Sequence, residues 1–298
     1  MKTEEYSYSF HTLSNGIRLV HRTTTSRVSH CGLTIDMGSR DEKSTENGTA
    51  HFIEHCLFKG TEKRKAFQIL SCIDGVGGEL NAFTTKEETC VYALYLQQYQ
   101  ERFLELLADI AFHSDFPQQP VEKEKVVVLD EINSYLDTPS EQIFDDFEHL
   151  IFGNHGLGRL ILGTPRRVMS LSCEQLKDFF KRNYTTDKMV VSTISSMPAD
   201  KWFFLCEKYL GAEPKTTGSM NRKAPRKYEA KSVVEQRDTY QSHIIIGNRA
   251  YSYRNPKRVA FSLLNNILGS GAMNSYLNMH IREKYGFTYS IESSYTAY

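Results

Sequence analysis

His51, Phe52, Ile53, Glu54 and His55 spell H-x-x-E-H. On a helix, residues four apart share a face, so both imidazoles could converge on one metal ion. Zinc held by three protein ligands with a fourth position open lowers the pKa of its bound water to about 7. Glu54, one residue before the second histidine, could approach that water from the side and take its proton as it attacks a carbonyl. The five residues alone are also compatible with a helix carrying two histidines on its surface or in its core.

Such a site needs a third donor. Glu131 lies in the run Glu124 to Ile132, on a predicted helix whose apolar positions include Val127, Val128 and Ile132, and could supply a carboxylate from a second helix. Glu124 sits two turns earlier on the same face, about 10.5 Å away at 1.5 Å rise per residue. Both carboxylates cannot easily bind one ion, so Glu124 is better placed to hydrogen-bond a ligand and fix its orientation. Two solvated glutamates are the plainer alternative.

The elements that would position these side chains follow from local patterning. Residues 17–21 and 31–38 carry the alternation of strands, and a helix opens near Thr49 and contains the motif. A second helix over 65–73 is stopped by Gly75, Gly77 and Gly78. Strands are expected at 79–85 and 89–96. An amphipathic helix carries Phe103, Leu104, Leu107, Ile110 and Ala111, and Pro120 opens the helix bearing Glu124 and Glu131. Ser172 with Gln175 makes a capping box for a helix reaching Tyr184. A strand at 189–195 and a helix at 202–210 complete the first part. Residues 79–85 also suit peptide binding: the glycines before them let a second backbone approach, and an exposed edge strand at Asn81, Ala82 and Phe83 could pair with substrate backbone. An ordinary hairpin is the competing reading.

Residues 212–231 turn basic, with two prolines and few apolar side chains, and 215–231 reads as a linker between a domain at 1–214 and a second at 232–298. The second part is expected to hold strands at 243–247 and 287–298 and helices at 256–268 and 275–284. The 298 residues are 40% hydrophobic and 24% charged, as in a soluble globular protein. Lys plus Arg (36) balance Asp plus Glu (36), which argues against nucleic acid or an anionic membrane as partner. No secretory signal or membrane span is visible, and six scattered cysteines without a C-x-x-C pair fit free thiols, so a cytoplasmic location is expected.

With these residues in view, the sequence resembles the pitrilysin/insulysin family of zinc peptidases, in particular its mitochondrial-processing-peptidase-like branch. The inverted H-x-x-E-H motif, the spacing to Glu131 and the helper position of Glu124 match. LSNGIRLV, GGELNAFTTKEETCVYA, GRLILGT, NNILGSGAMNSYL and REKYGFTYSIESS all resemble family segments in the family's order. Asp130, Gly156 and the run Ser195 to Met197 depart from the usual pattern without touching a ligand.

The resemblance implies an α+β fold of tandem two-layer sandwich domains, each an antiparallel or mixed sheet with helices on one side. It implies one Zn2+ on His51, His55 and Glu131, Glu54 as general base and Glu124 behind a ligand. Arg282 and Tyr289 match an Arg and a Tyr that grip the bound peptide in the family, and Tyr289 could donate to the oxyanion. The family's second domain usually runs to about 200 residues, so the second domain here is expected to be incomplete, with a homodimer or a partner subunit completing it. A zinc endopeptidase acting on peptides or unfolded segments is the functional expectation. A non-catalytic scaffold or partner subunit of the same fold is the alternative.

Overall fold

The structure is a computed structural model that describes residues 7–225 and 230–298. It divides into two compact units, Met1–Ile244 and Ile245–Tyr298.

The first unit is built on one sheet of six strands: β1 (Tyr8–Thr12), β2 (Arg18–Thr23), β3 (Val28–Ile35), β4 (Glu79–Thr84), β5 (Thr89–Leu96) and β6 (Met189–Ser195). Their spatial order is β1-β2-β6-β3-β5-β4, with β2 and β6 parallel and every other pair antiparallel. Register places Leu19, Leu33, Val91 and Val191 on one face, and all four are buried. Because side chains alternate along a strand, the opposite face carries Phe10, Phe83 and Ile194, which are exposed. This unit is the expected α+β two-layer sandwich, a single mixed sheet with helices packed on one face.

The helices are α1 (Thr49–Cys56), α2 (Ala66–Asp74), α3 (Gln100–His113), α4 (Gln118–Leu136), α5 (Pro139–Phe152), α6 (Pro165–Ser170), α7 (Cys173–Asn183) and α8 (Ala199–Tyr209). The core holds Phe52 from α1, Phe103 from α3, Val128 from α4, Phe179 from α7 and Trp202 from α8, all essentially inaccessible. Ser172 caps α7 through Gln175 as its sequence requires. Patterning gave no expectation for β1, α5 or α6, for distinct reasons. β1 is a short edge strand with almost every residue exposed, so it shows no alternation. In α5 Ile151 alone is fully buried, and α6 has only six residues.

The basic stretch read as a linker is tied to the first unit over part of its length. Thr216 exchanges hydrogen bonds with Thr186, and the Arg222 guanidinium pairs with Asp36 at 2.9 Å and Asp41 at 2.7 Å. Arg226 and Lys227 lie outside the described residues.

The second unit holds α9 (Arg258–Gly269) and a π-helical segment, Asn278–Glu283, inside the region expected to be a helix. The strands expected at 243–247 and 287–298 are absent: those residues form no ladder. Alternation gives a segment two faces, but only a paired neighbour makes it a strand. Tyr251, Phe261 and Tyr295 stack edge to face, and the Ser293 amide donates to the Gly269 carbonyl.

Candidate metal centre

Helix α1 begins at Thr49, so His51 and His55 fall one turn apart on the side that meets α4. His51 is buried, and His55 and Glu131 are half-buried. His51 Nε2 stands 3.6 Å from Glu131 Oε2, and His55 Nε2 stands 3.3 Å from the same oxygen. Two donors at about 2.1 Å from a tetrahedral zinc lie about 3.4 Å apart, so these separations fit a shared ion better than direct hydrogen bonds. In keeping with that, Glu131 Oε2 has no hydrogen-bond partner among the described residues despite its burial. The three donor atoms all lie within 4.8 Å of one another. Two imidazoles and a carboxylate are a donor set suited to zinc.

Glu124 lies behind His55. Its Oε1 accepts a hydrogen bond from His55 Nδ1 at 2.9 Å, and its Oε2 meets Lys59 Nζ at 2.7 Å. A proton on His55 Nδ1 leaves Nε2 with its lone pair toward Glu131, the tautomer a metal ligand needs. Lys59, one turn beyond His55, was not anticipated, although its i+4 spacing from His55 was a usable signal.

Electrostatics separate the two imidazoles. Burial and the neighbouring His55 hold His51 well below the usual histidine range, against the opposing pull of Glu131. Burial also disfavours charge on His55, but the hydrogen bond to Glu124 and the nearby Glu131 carboxylate outweigh it and raise its pKa to about 9. The Glu131 carboxyl is held down by the adjoining His55 imidazole, more strongly than burial raises it. Burial would raise Glu124, but His55 and Lys59 bring it below the ordinary range. Glu54 behaves oppositely: burial raises it, against the weaker pull of Thr84 and His55.

Glu54 and Thr84 connect the centre to the edge of the sheet. Among the described residues β4 pairs with β5 alone, so no strand lies along its far edge. Asn81 and Phe83 point to the uncovered sheet face, Ala82 and Thr84 to the helical face. The Ala82 amide donates to the Asn81 side-chain oxygen at 2.8 Å, so this N–H is occupied by a short side chain and not by a ladder partner. Arg282 and Tyr289 both lie in the second unit. There the Arg282 guanidinium sits 5.0 Å from the centroid of the exposed Tyr289 ring.

A helix-backed mixed sheet carries H-x-x-E-H on α1 and Glu131 on α4, and His51, His55 and Glu131 form a group that could hold a metal ion. The profile described as insulinase (peptidase family M16) matches residues 18–165, which contain His51, Glu54, His55 and Glu131, and that described as peptidase M16 inactive domain matches 170–298. An uncharacterized zinc protease, YmxG of Bacillus subtilis, is 34% identical over 289 residues, covering 97% of this chain and 70% of the relative. One from Mycobacterium leprae is 36% identical over 290 residues, covering 95% of this chain and 64% of the relative. The chain belongs to the insulinase family of peptidases. Its fold matches a protease from Helicobacter pylori (TM-score 0.86, 20% identity, 98% of this chain and 72% of that one). It also matches the peptidase M16 inactive domain from Pseudomonas fluorescens (TM-score 0.86, 18% identity, 98% and 71%). No helix among the described residues is long and apolar enough to cross a membrane.

Proposed function

We propose that this chain carries the zinc centre of a metalloendopeptidase that hydrolyses peptide bonds in segments bound as an added strand on β4. The observation that carries this reading is the convergence of His51, His55 and Glu131 from two packed helices, with both Nε2 atoms at 3.3 and 3.6 Å from one unpartnered carboxylate oxygen. Zinc, when bound by these three, supplies Lewis acidity to a carbonyl and acidifies water at its open position.

The chain's own residues do the rest. Glu54 is raised by burial, which makes its carboxylate a stronger base than an exposed glutamate. It accepts the proton of the attacking water and returns it to the leaving amide nitrogen. Glu124 holds His55 Nδ1 so that the imidazole cannot rotate away. The open side of β4 aligns the substrate backbone, which makes recognition tolerant of side chains. All six cysteines are unpaired, which supports a reducing compartment.

A non-catalytic scaffold would not need a general base beside the three donors, and Glu54 is present. The test combines elemental analysis of protein reloaded with zinc and cleavage of a quenched peptide library by the wild type and by Glu54→Gln. One zinc per chain, with turnover lost only in the variant, is expected. Protein that takes up no zinc would overturn the reading.

A further inference from the structure

Helix α1 has an unusual start. Its N-cap is Gly48, at φ 89° and without a side-chain cap. A Cβ there would fall 2.8 Å from both the Gly163 Cα and the Leu162 carbonyl oxygen. A serine or aspartate, the ordinary capping residues, therefore cannot occupy the position. The first amides of the helix must find their acceptor elsewhere.

Glu42 supplies it. Its Oε1 accepts from the Ala50 amide at 2.7 Å, and its Oε2 from the Gly48 amide at 3.0 Å and from Asn47 Nδ2 at 3.1 Å. Asn47 Nδ2 also reaches the Leu160 carbonyl at 2.8 Å, and Arg159 Nη2 donates to the Glu42 carbonyl at 2.5 Å. The side chain is thus buried between α1 and the 159–163 segment, and every partner of its carboxylate is a donor. Burial pushes the Glu42 carboxyl up to about 8, against the bonds from Ala50, Asn47 and Gly48. Such a costly residue at the foot of the motif helix calls for a use.

We infer that Glu42 is a positioning residue for the metal centre: by clamping the Gly48 and Ala50 amides it fixes the rotation and axial position of α1, and so where the His51 and His55 donors meet Glu131. The inference rests on the zinc reading proposed above. His51 directly follows Ala50, so its imidazole inherits any movement of the clamped amide. A buried His51 with no hydrogen-bond partner at Nδ1 has nothing else among the described residues to hold its ring by that atom. Groups that hydrogen-bond a ligand directly typically change metal affinity by about 10–100-fold, and the lower end of that range is expected for a clamp on the backbone beside one.

Glu42→Gln keeps the size but turns an NH2 group toward at least one N–H donor. The test compares it with wild type in the full chain by zinc affinity under chelator competition, by the visible spectrum of the cobalt(II)-substituted protein, and by kcat and KM on a cleaved peptide. A tenfold or greater loss of zinc affinity, shifted cobalt bands and a lowered kcat at similar KM are expected. Asn47→Ala, which removes one of Glu42's three donors, should move the same readouts a few-fold, and it decides the matter if Glu42→Gln does not fold. Lowered thermal stability with wild-type zinc affinity and cobalt bands in these variants would reduce Glu42 to a purely structural residue and overturn the inference. A wild type that binds no zinc would instead overturn the zinc reading itself, and this inference with it.

Discussion

His55 Nδ1 and Glu124 Oε1 lie 2.9 Å apart, and this one bond joins the motif helix to the helix that carries Glu131. Glu124 therefore pins α1 to α4 seven residues before Glu131, and in the proposed centre it would set the tautomer of a metal-bound His55. Lys59 on its other oxygen keeps this buried carboxylate from being an isolated charge.

Glu124→Ala should weaken zinc binding by about 10–100-fold, because His55 then loses the acceptor that orients it. Glu124→Gln retains an acceptor oxygen and should lose less. His51→Ala, which removes a donor outright, should exceed both. Chelator-competition titrations on folded protein measure the order, and equal affinity for Glu124→Ala and wild type would remove Glu124 from the centre.

Glu54→Gln should cut turnover by about 10²–10⁴ while leaving zinc content and peptide affinity close to wild type. The amide keeps the shape between α1 and Thr84 but cannot accept a proton. Cleavage at an undiminished rate would mean that another group is the base.

Much of this centre is legible from spacing. His51 and His55 share a face because a helix turns every 3.6 residues, and the same geometry separates Glu124 from Glu131 and assigns them different tasks. The alternation in 79–84 and 89–96 likewise fixes which side chains of β4 and β5 face the helices. Glu42 is not legible. Its contact with Ala50 depends on a short excursion that folds back under the helix start, and on Gly163 crowding Gly48 from far along the chain. The segments 243–247 and 287–298 fail in the opposite way: their alternation is real, but pairing is a property of a neighbour, not of the segment.

In the proposed centre, zinc and a proton would compete for His55. In the metal-free protein its pKa is raised to about 9, so at pH 7 it is protonated, whereas His51 is held low and stays neutral. Zinc uptake should thus release about one proton from this pair, and affinity should rise about tenfold per pH unit toward pH 9, then level off. The sign follows from linkage. The ion pairs of His55 with Glu124 and Glu131 stabilise the metal-free fold fully below its unfolded value of 6.5 and fade as pH rises through 9. Zinc affinities measured from pH 6.5 to 9.5 check this, and a flat profile would contradict it.

The edge position of β4 makes a prediction about substrates. A strand added to an edge presents its N–H and C=O groups to the sheet only at every second residue, the others pointing away. Methylating one backbone nitrogen of a cleaved peptide at a time should therefore raise KM in an alternating pattern along the peptide. Each sensitive position loses one net hydrogen bond, about 0.5–1.5 kcal/mol, or roughly two- to twelvefold. The Ala82 amide is one group such a strand would meet, and the Asn81 side chain now occupies it, so the incoming carbonyl must displace that bond. Asn81→Ala removes the competitor and should leave the alternation intact while lowering KM for the unmethylated peptide. A peptide series whose sensitivity follows side-chain identity, with no period of two, would show that substrates are held by pockets and not by the strand edge.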